Sequence, residues 1–260
     1  MNTHVRPSVL SQITWKTILG VRVADLRWSE AISLLAHLLE EGRFTRVGFL
    51  NAHNANVAAT DPDLMRAFED SLVLPDGVGV DIAAKILHGA PFAANLNGTD
   101  FIPDFLRNIR WSLRVGLIGA KGPNVERALA RFQLECPQHR FILINDGYFS
   151  AAEEPAIVDR IRKIRPDVLL VAMGVPAQEL WIRRNIDERH CTLAMAVGAL
   201  FDFMSGAVPR APRFIRAMRL EWLFRLMIEP ARLWRRYILG NPLFIARVLR
   251  ERFAKGGSVR

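Results

Sequence analysis

Few side chains in this chain of 260 residues can do chemistry, and they recur at one kind of place, just after or before a short apolar run. Arg46 to Leu50 ends in Asn51-Ala52-His53-Asn54, and Leu72 to Leu74 runs into Pro75-Asp76-Gly77-Val78-Gly79. Further on, Asn97-Gly98-Thr99-Asp100 precedes an apolar stretch from Phe101 to Ile109. A lone carboxylate such as Asp76 can act as a general base. Pro-Asp-Gly is equally a common turn, in which Asp satisfies local backbone amides. His53 could be a base, yet a single His among asparagines reads more simply as a turn or cap residue, which leaves Asn51 the stronger candidate there. Thr99 or Asp100 reads as the N-cap of the helix that follows.

Other chemistries lack their residues. Gly116, Gly119 and Gly122 fall at spacing three, so the dinucleotide fingerprint is missing. A glycine-rich turn entering a helix can still hold phosphate or a nucleotide. No DxD and no His/carboxylate cluster follows a strand, so neither a metal nor another cofactor is expected. Cys136 and Cys191 have no CxxC spacing and read as buried, reduced thiols.

The elements that must position these residues alternate. Strands are expected at Ile18 to Val23, Arg46 to Leu50, Leu72 to Leu74, Arg114 to Ala120, Phe141 to Ile144, Asp167 to Met173 and Leu193 to Val197. Helical spacing fills the intervals, for example at Trp28 to Leu39, Pro62 to Asp70, Asn124 to Leu134, Glu153 to Ile164 and Leu180 to Ile186. Six or seven strands alternating with helices predict an α/β fold, a mainly parallel doubly wound sheet with ligands at the strands' carboxyl ends. Pro209 and Pro212 mark a break. Residues 1–205 are expected to form the core and 206–260 a helical, basic appendage.

That appendage carries the charge. Residues 210–260 hold 13 of the chain's 35 Lys and Arg against three acids, Glu221, Glu229 and Glu251, so the formal +9 belongs to the tail. Arginine interleaved with Phe214, Trp222, Trp234, Phe244 and Phe253 fits a helical subdomain packed on the core, or docking on an anionic membrane surface. A nucleic-acid partner is not expected, because the segment is too apolar and has no nucleic-acid motif. The segment from Met1 to Leu19 has no continuous apolar h-region, and no stretch reaches the length of a spanning helix. A peripheral position at the cytoplasmic face of the inner membrane is the expectation.

Together, Asn51, Pro75-Asp76-Gly77, Gly98-Thr99-Asp100, Gly147-Tyr148-Phe149, Pro176-Ala177-Gln178-Glu179 and Glu221-Trp222-Leu223-Phe224-Arg225 resemble, in order and spacing, the WecG/TagA/CpsF family of bacterial glycosyltransferases. Arg210-Ala211-Pro212 and Glu229-Pro230-Ala231-Arg232 match the family's tail. The resemblance implies a Rossmann-like core with a membrane-targeting appendage, and inverting, metal-independent transfer from a UDP-sugar to a polyprenyl-diphosphate-linked sugar. It makes Asp76 the catalytic base and Gln178 the glutamine of the Pro-x-Gln-Glu motif beside Glu179. Asn51, Asn95, Thr99 and Asp100 fall at the substrate, and Arg225, Arg232 and Arg235 at the diphosphate. On a helix those arginines share a face if Pro230 does not break it.

Two positions depart from the family pattern. Phe49 stands where many relatives have a small hydroxyl residue, and Asn95 stands where arginine is common. The version Ala94-Asn95-Leu96-Asn97-Gly98-Thr99-Asp100 resembles the xanthan-type GumM branch, whose members add glucose to a glucosyl diphosphate lipid. The expectation is therefore a UDP-glucose-dependent hexosyltransferase of exopolysaccharide assembly. Alternatives are transfer of N-acetylmannosamine or a uronic acid, or a non-catalytic, membrane-bound assembly partner. A homo-oligomer remains open.

Overall fold

The computed structural model describes residues 13–212, 214–215 and 218–256. The expectations on residues 1–12 lie outside them. Strands β3 (Thr45–Leu50), β4 (Ser71–Pro75), β5 (Arg114–Gly119), β6 (Arg140–Asn145), β7 (Val168–Ala172) and β8 (Leu193–Ala196) form one six-stranded sheet in the order β4-β3-β8-β7-β5-β6. All its pairings are parallel. The expected opening strand is instead a hairpin, β1 (Trp15–Ile18) against β2 (Val21–Ala24), because Gly20 takes a positive φ in the middle of the run.

Alternation along the strands sends side chains to two faces. Val47, Phe49, Leu72, Leu74, Val115 and Leu117 face one side, where they pack on α1 (Trp28–Glu40), α5 (Gly98–Asn108) and α6 (Gly122–Glu135). Leu50 and Val73 face the other, under α2 (Ala52–Ala58), α3 (Pro62–Glu69) and α4 (Val78–His88). On that same face Ile118, Leu169 and Val171 meet α7 (Glu154–Ile164) and α8 (Ala177–Asn185). A sheet buried on both faces by crossover helices is the doubly wound, Rossmann-like arrangement expected.

After α9 (Leu200–Met204) the chain reaches its tail: α10 (Glu221–Ile228), α11 (Pro230–Trp234), a π-helical turn Arg235–Leu239, and α12 (Gly240–Gly256). Pro230 does break the run. Glu229 leaves helical geometry at φ −126° and ψ 56°, so the arginine face expected of one continuous helix does not exist. Phe244 and Val248 of α12 are buried in the same apolar cluster as Leu50, Ala55, Val80 and Ala83. Polar latches add to them. Arg219 donates to Asp81 at 2.7 Å, and Arg210 donates to Asp100 at 2.7 Å and reaches Glu221 at 3.0 Å. Arg247 donates to the Asn56 carbonyl at 2.7 Å, while Asn56 donates to the Gly240 carbonyl at 2.7 Å.

Because Phe244 lies in that shared cluster, truncating it should loosen core and tail together. Phe244→Ala is expected to cost about 3 kcal/mol or more in urea unfolding, in the range of other buried Phe deletions. A loss below about 1 kcal/mol would mean that the tail rests on its latches instead.

Candidate active site

The pairing of β3 with β4 creates the site. Their register sets Leu50 beside Pro75, so the next residues, Asn51 and Asp76, leave the sheet side by side, and the Asp76 amide donates to the Leu50 carbonyl at 2.8 Å. Asn51 caps α2: its Oδ1 accepts the Asn54 amide at 3.0 Å. Its Nδ2 must then face away, and it donates to Asp76 Oδ2 at 3.2 Å. Asp76 thus takes its hydrogen bond across the sheet and not from a local amide, against the plain turn reading. Gly77 follows at φ +94° and ψ 162°, a conformation open essentially to glycine alone. Its amide donates to Asn95 Oδ1 at 2.8 Å, so Asn95 holds the bend that aims Asp76.

Two cavities, of about 560 Å³ and about 780 Å³, meet here. Both are lined by Asn51, His53, Asp76, Thr99, Arg225 and Arg236. The smaller lobe lies between α4 and the tail, with Ile82, Met218, Leu220, Trp222 and Ile245 in its wall. The larger lies over the carboxyl ends of β5, β7 and β8, and its wall includes Ala120, Tyr148, Gly174, Gly198, Arg232 and Arg235.

Burial pushes the pKa of half-buried Asp76 upward. The Asn51 hydrogen bond and the charges of Arg236 and Arg225 oppose the rise, and Asp100 adds to it. His53, in the first turn of α2, is lowered to about 4 by burial and by Arg236. It is a neutral imidazole, and a proton taken there would stand beside a guanidinium. Asp76 becomes neutral when it accepts one, which makes it the better base of the two.

The tail arginines reach the cleft despite the break at Pro230. Arg225 stacks 4.9 Å from the centre of the Phe203 ring, whose other neighbour is Arg210 at 5.2 Å. Arg232 turns back on Glu229, with bonds of 3.0 and 2.5 Å, and Arg235 lies exposed over Trp234 at the outer rim. Arg236 is half-buried and lines both lobes, and sequence reasoning missed it. Its spacing of four from Arg232 was the available signal.

Other expected site residues are placed as follows. Thr99 lines both lobes. Asp100 is engaged by Arg210, and Asn97, not Thr99 or Asp100, caps α5, accepting the Asp100 amide at 3.0 Å. Gln178 is buried: its Oε1 accepts the amides of Gly174 at 3.2 Å and Gly198 at 3.0 Å, pinning two loops of the larger lobe. Glu179 lines neither lobe. Its carboxylate is buried behind Gln178, whose Nε2 donates to it at 2.9 Å. Phe49 is buried, with its ring against Gly98. Among the described residues no group of three His, Cys, Asp or Glu gathers as a metal site, and no helix is long and apolar enough to cross a membrane.

Comparison with known proteins adds a family. The model of the glycosyl transferase WecG/TagA/CpsF family matches residues 16–257. The chain is 30% identical over 229 residues to an N-acetylglucosaminyldiphosphoundecaprenol N-acetyl-beta-D-mannosaminyltransferase of Bacillus spizizenii, covering 86% of this chain and 87% of that one. A Bacillus subtilis protein of the same description is 28% identical over 217 residues, 83% of each chain, and a Staphylococcus aureus one is 30% identical over 183 residues, 70% of each.

The buried Glu179 gives a stability prediction. Burial raises its pKa to about 7, so the folded chain holds this proton where the unfolded chain has released it. The stability it contributes is complete below the unfolded value near 4.5 and is lost as pH rises through about 7. Glu179→Gln keeps an acceptor for Gln178 and removes the titration. Thermal melts from pH 5 to 8 are therefore expected to show a smaller decline for the variant, which should melt above the wild type at pH 8. Parallel curves would show that Glu179 is not held protonated.

Proposed function

As the chain belongs to the WecG/TagA/CpsF family of glycosyl transferases, we propose that its cleft moves a hexose from a UDP-sugar to a polyprenyl-diphosphate-linked sugar, with inversion and without a metal ion. The observation that carries this reading is Asp76, among the described residues the carboxylate common to both lobes, where they meet under the tail arginines. The larger lobe takes the UDP-sugar, with its phosphates toward Arg225, Arg232 and Arg235. The smaller lobe takes the acceptor, whose first apolar units lie against Ile82, Met218 and Trp222.

In the transfer, the acceptor hydroxyl oxygen bonds to the anomeric carbon while the bond from that carbon to the β-phosphate oxygen breaks, its electron pair leaving with UDP. The hydroxyl proton passes to Asp76. One base and no nucleophile suffices for inversion, and arginines supply the cations that a developing diphosphate charge calls for.

Glucose as the transferred sugar, on a glucosyl diphosphate lipid of exopolysaccharide assembly, rests on the GumM-like Ala94 to Asp100 stretch. There Asn95, in place of arginine, leaves one wall of the smaller lobe without a charge. The descriptions of the relatives favour a second reading, N-acetylmannosamine onto an N-acetylglucosaminyl diphosphate lipid. In either case residues 206–260 act as the membrane-associating appendage of a 1–205 core. Trp234, Ile238, Leu239, Leu243 and Phe253 stand exposed among its basic residues, as docking on the anionic cytoplasmic face of the inner membrane requires.

The purified chain should be given a panel of UDP-sugars with glucosyl and N-acetylglucosaminyl diphosphate lipids, and the products weighed. A hexose added to one acceptor is expected; no product from any pair would leave a non-catalytic assembly partner. Activity should persist in excess chelator, and a loss restored by magnesium or manganese would remove the metal-independent mechanism. Asp76→Asn should lower turnover by about 10²–10⁴-fold with UDP affinity kept, and a variant retaining more than roughly a tenth of the rate would return Asp76 to a turn residue.

A further inference from the structure

The segment Asn51-Ala52-His53-Asn54-Ala55-Asn56 places four polar side chains on the larger lobe, and three of them are spent on the protein. Asn51 caps α2 and donates to Asp76, Asn54 donates to the Phe49 carbonyl at 2.8 Å, and Asn56 donates to the Gly240 carbonyl. His53 is the exception. Its ring is half-buried in the wall of both lobes, and among the described residues neither ring nitrogen has a hydrogen-bond partner. Burial and Arg236 hold the ring neutral, so it offers one N–H donor and one lone pair, and the tautomer is free to suit a ligand. A sugar hydroxyl, itself donor and acceptor, matches either.

Building on the transferase reading, we propose that His53 binds a hydroxyl of the hexose in transit, its imidazole nitrogen accepting the hydroxyl hydrogen. The hexose is the one part of the substrates that belongs to the larger lobe before the reaction, on UDP, and to the smaller lobe after it, on the acceptor. A side chain common to both lobes can hold it throughout, and a residue of one lobe cannot. The other shared side chains have other work: Asp76 takes the acceptor proton, Asn51 is held on Asp76, and Arg225 lies on Phe203. As the bond to UDP breaks, positive charge spreads over the anomeric carbon and ring oxygen of the hexose. An imidazolium would stand against that charge, and the neutral ring does not. The hydroxyl hydrogens of the hexose become stronger donors as its ring loses electrons, so a bond accepted by His53 tightens in the transition state and its worth falls on kcat. His53 moves no proton. The acceptor's proton still passes to Asp76, and the balance of the transfer is unchanged.

The test uses the full chain with His53→Ala and His53→Gln, each first shown by thermal melt to be folded. The probes are UDP-glucose, or UDP-N-acetylmannosamine where the panel selects it, each with the analogues that lack one hexose hydroxyl. His53→Ala should lose about 10–100-fold in kcat/KM, mostly in kcat, and keep its affinity for UDP, which has no hexose. His53→Gln keeps a donor and an acceptor and should recover part of that rate. One analogue, the one without the bound hydroxyl, should be poor with the wild type and no poorer with His53→Ala, while the losses for the other analogues multiply with that of the variant. A merely structural histidine would show no such pairing with one hydroxyl. If His53→Ala matches the wild type, or if its loss multiplies with that of every analogue, the inference is overturned and the transferase reading stands. If the wild type turns over no UDP-sugar, the transferase reading fails first and takes this inference with it.

Discussion

A carboxylate that must carry charge in a half-dry cleft depends on cations, and in this fold the cations that act on it come from outside the sheet. The core brings Asp76 to the end of β4 and gives it one amide hydrogen from Asn51. Asp100, a charged group of the core, raises its pKa further. Arg225 and Arg236, which favour the ionised form, belong to the tail. A tail that swung free would take both away, and that accounts for how firmly it is attached. Phe244 and Val248 sit in the core cluster, and Arg210, Arg219 and Arg247 tie it at three separate points.

Packing on the core leaves the tail free for the membrane docking proposed for it. One face of α12 is spent on α2 and α4, while Leu243, Leu249 and Phe253 on the same helix stay exposed. The arginines divide in the same way, some closing the tail onto the core and some turned into the cleft. A basic surplus read from sequence as one property is a sum of unlike local roles.

The alternation of strands and helices was legible because apolar periodicity is strong where elements are buried on both faces, and the strands of the sheet fall within a residue or two of the runs that announce them. Two helices on the cleft were not legible. The first is short and opens with Ala-His-Asn, and the second opens with Gly77 and Gly79, residues that lower helix propensity but that the site requires. At Gly79 an added Cβ would come within 3.1 Å of the Ala52 Cβ, so the glycine lets α4 pass α2. Asn51 and Asp76 stood out by following strands that prove to be neighbours. The supporting roles of Asn95 and Gln178 could not be read, because each depends on a partner loop that sequence order does not reveal, and Glu179 is set by its burial behind Gln178. Arg236 was hidden beside Arg235: only the break at Glu229 and the π-helical turn decide which of two adjacent arginines enters the cleft.

The aim of Asp76 is, in the end, a property of backbone pairing. Its position follows from the β3/β4 register, because a slip of one residue would send it to the opposite face. Its bend follows from the Gly77 conformation held by Asn95, and the Leu96 amide, donating to the Pro75 carbonyl at 2.9 Å, fastens the same segment one residue on. The hydrogen it accepts follows from α2, since capping that helix consumes the Asn51 oxygen and leaves only the amide hydrogens to face Asp76. The core therefore fixes where the carboxylate lies and which oxygen is engaged, while its charge is set jointly, by burial and the Asn51 hydrogen bond first and by the tail's Arg236 and Arg225 after them. Asn51 serves both geometry and ionisation, whereas Arg236 and Arg225 act on Asp76 through their charge, so a change in the tail can alter the base strength of Asp76 without moving it.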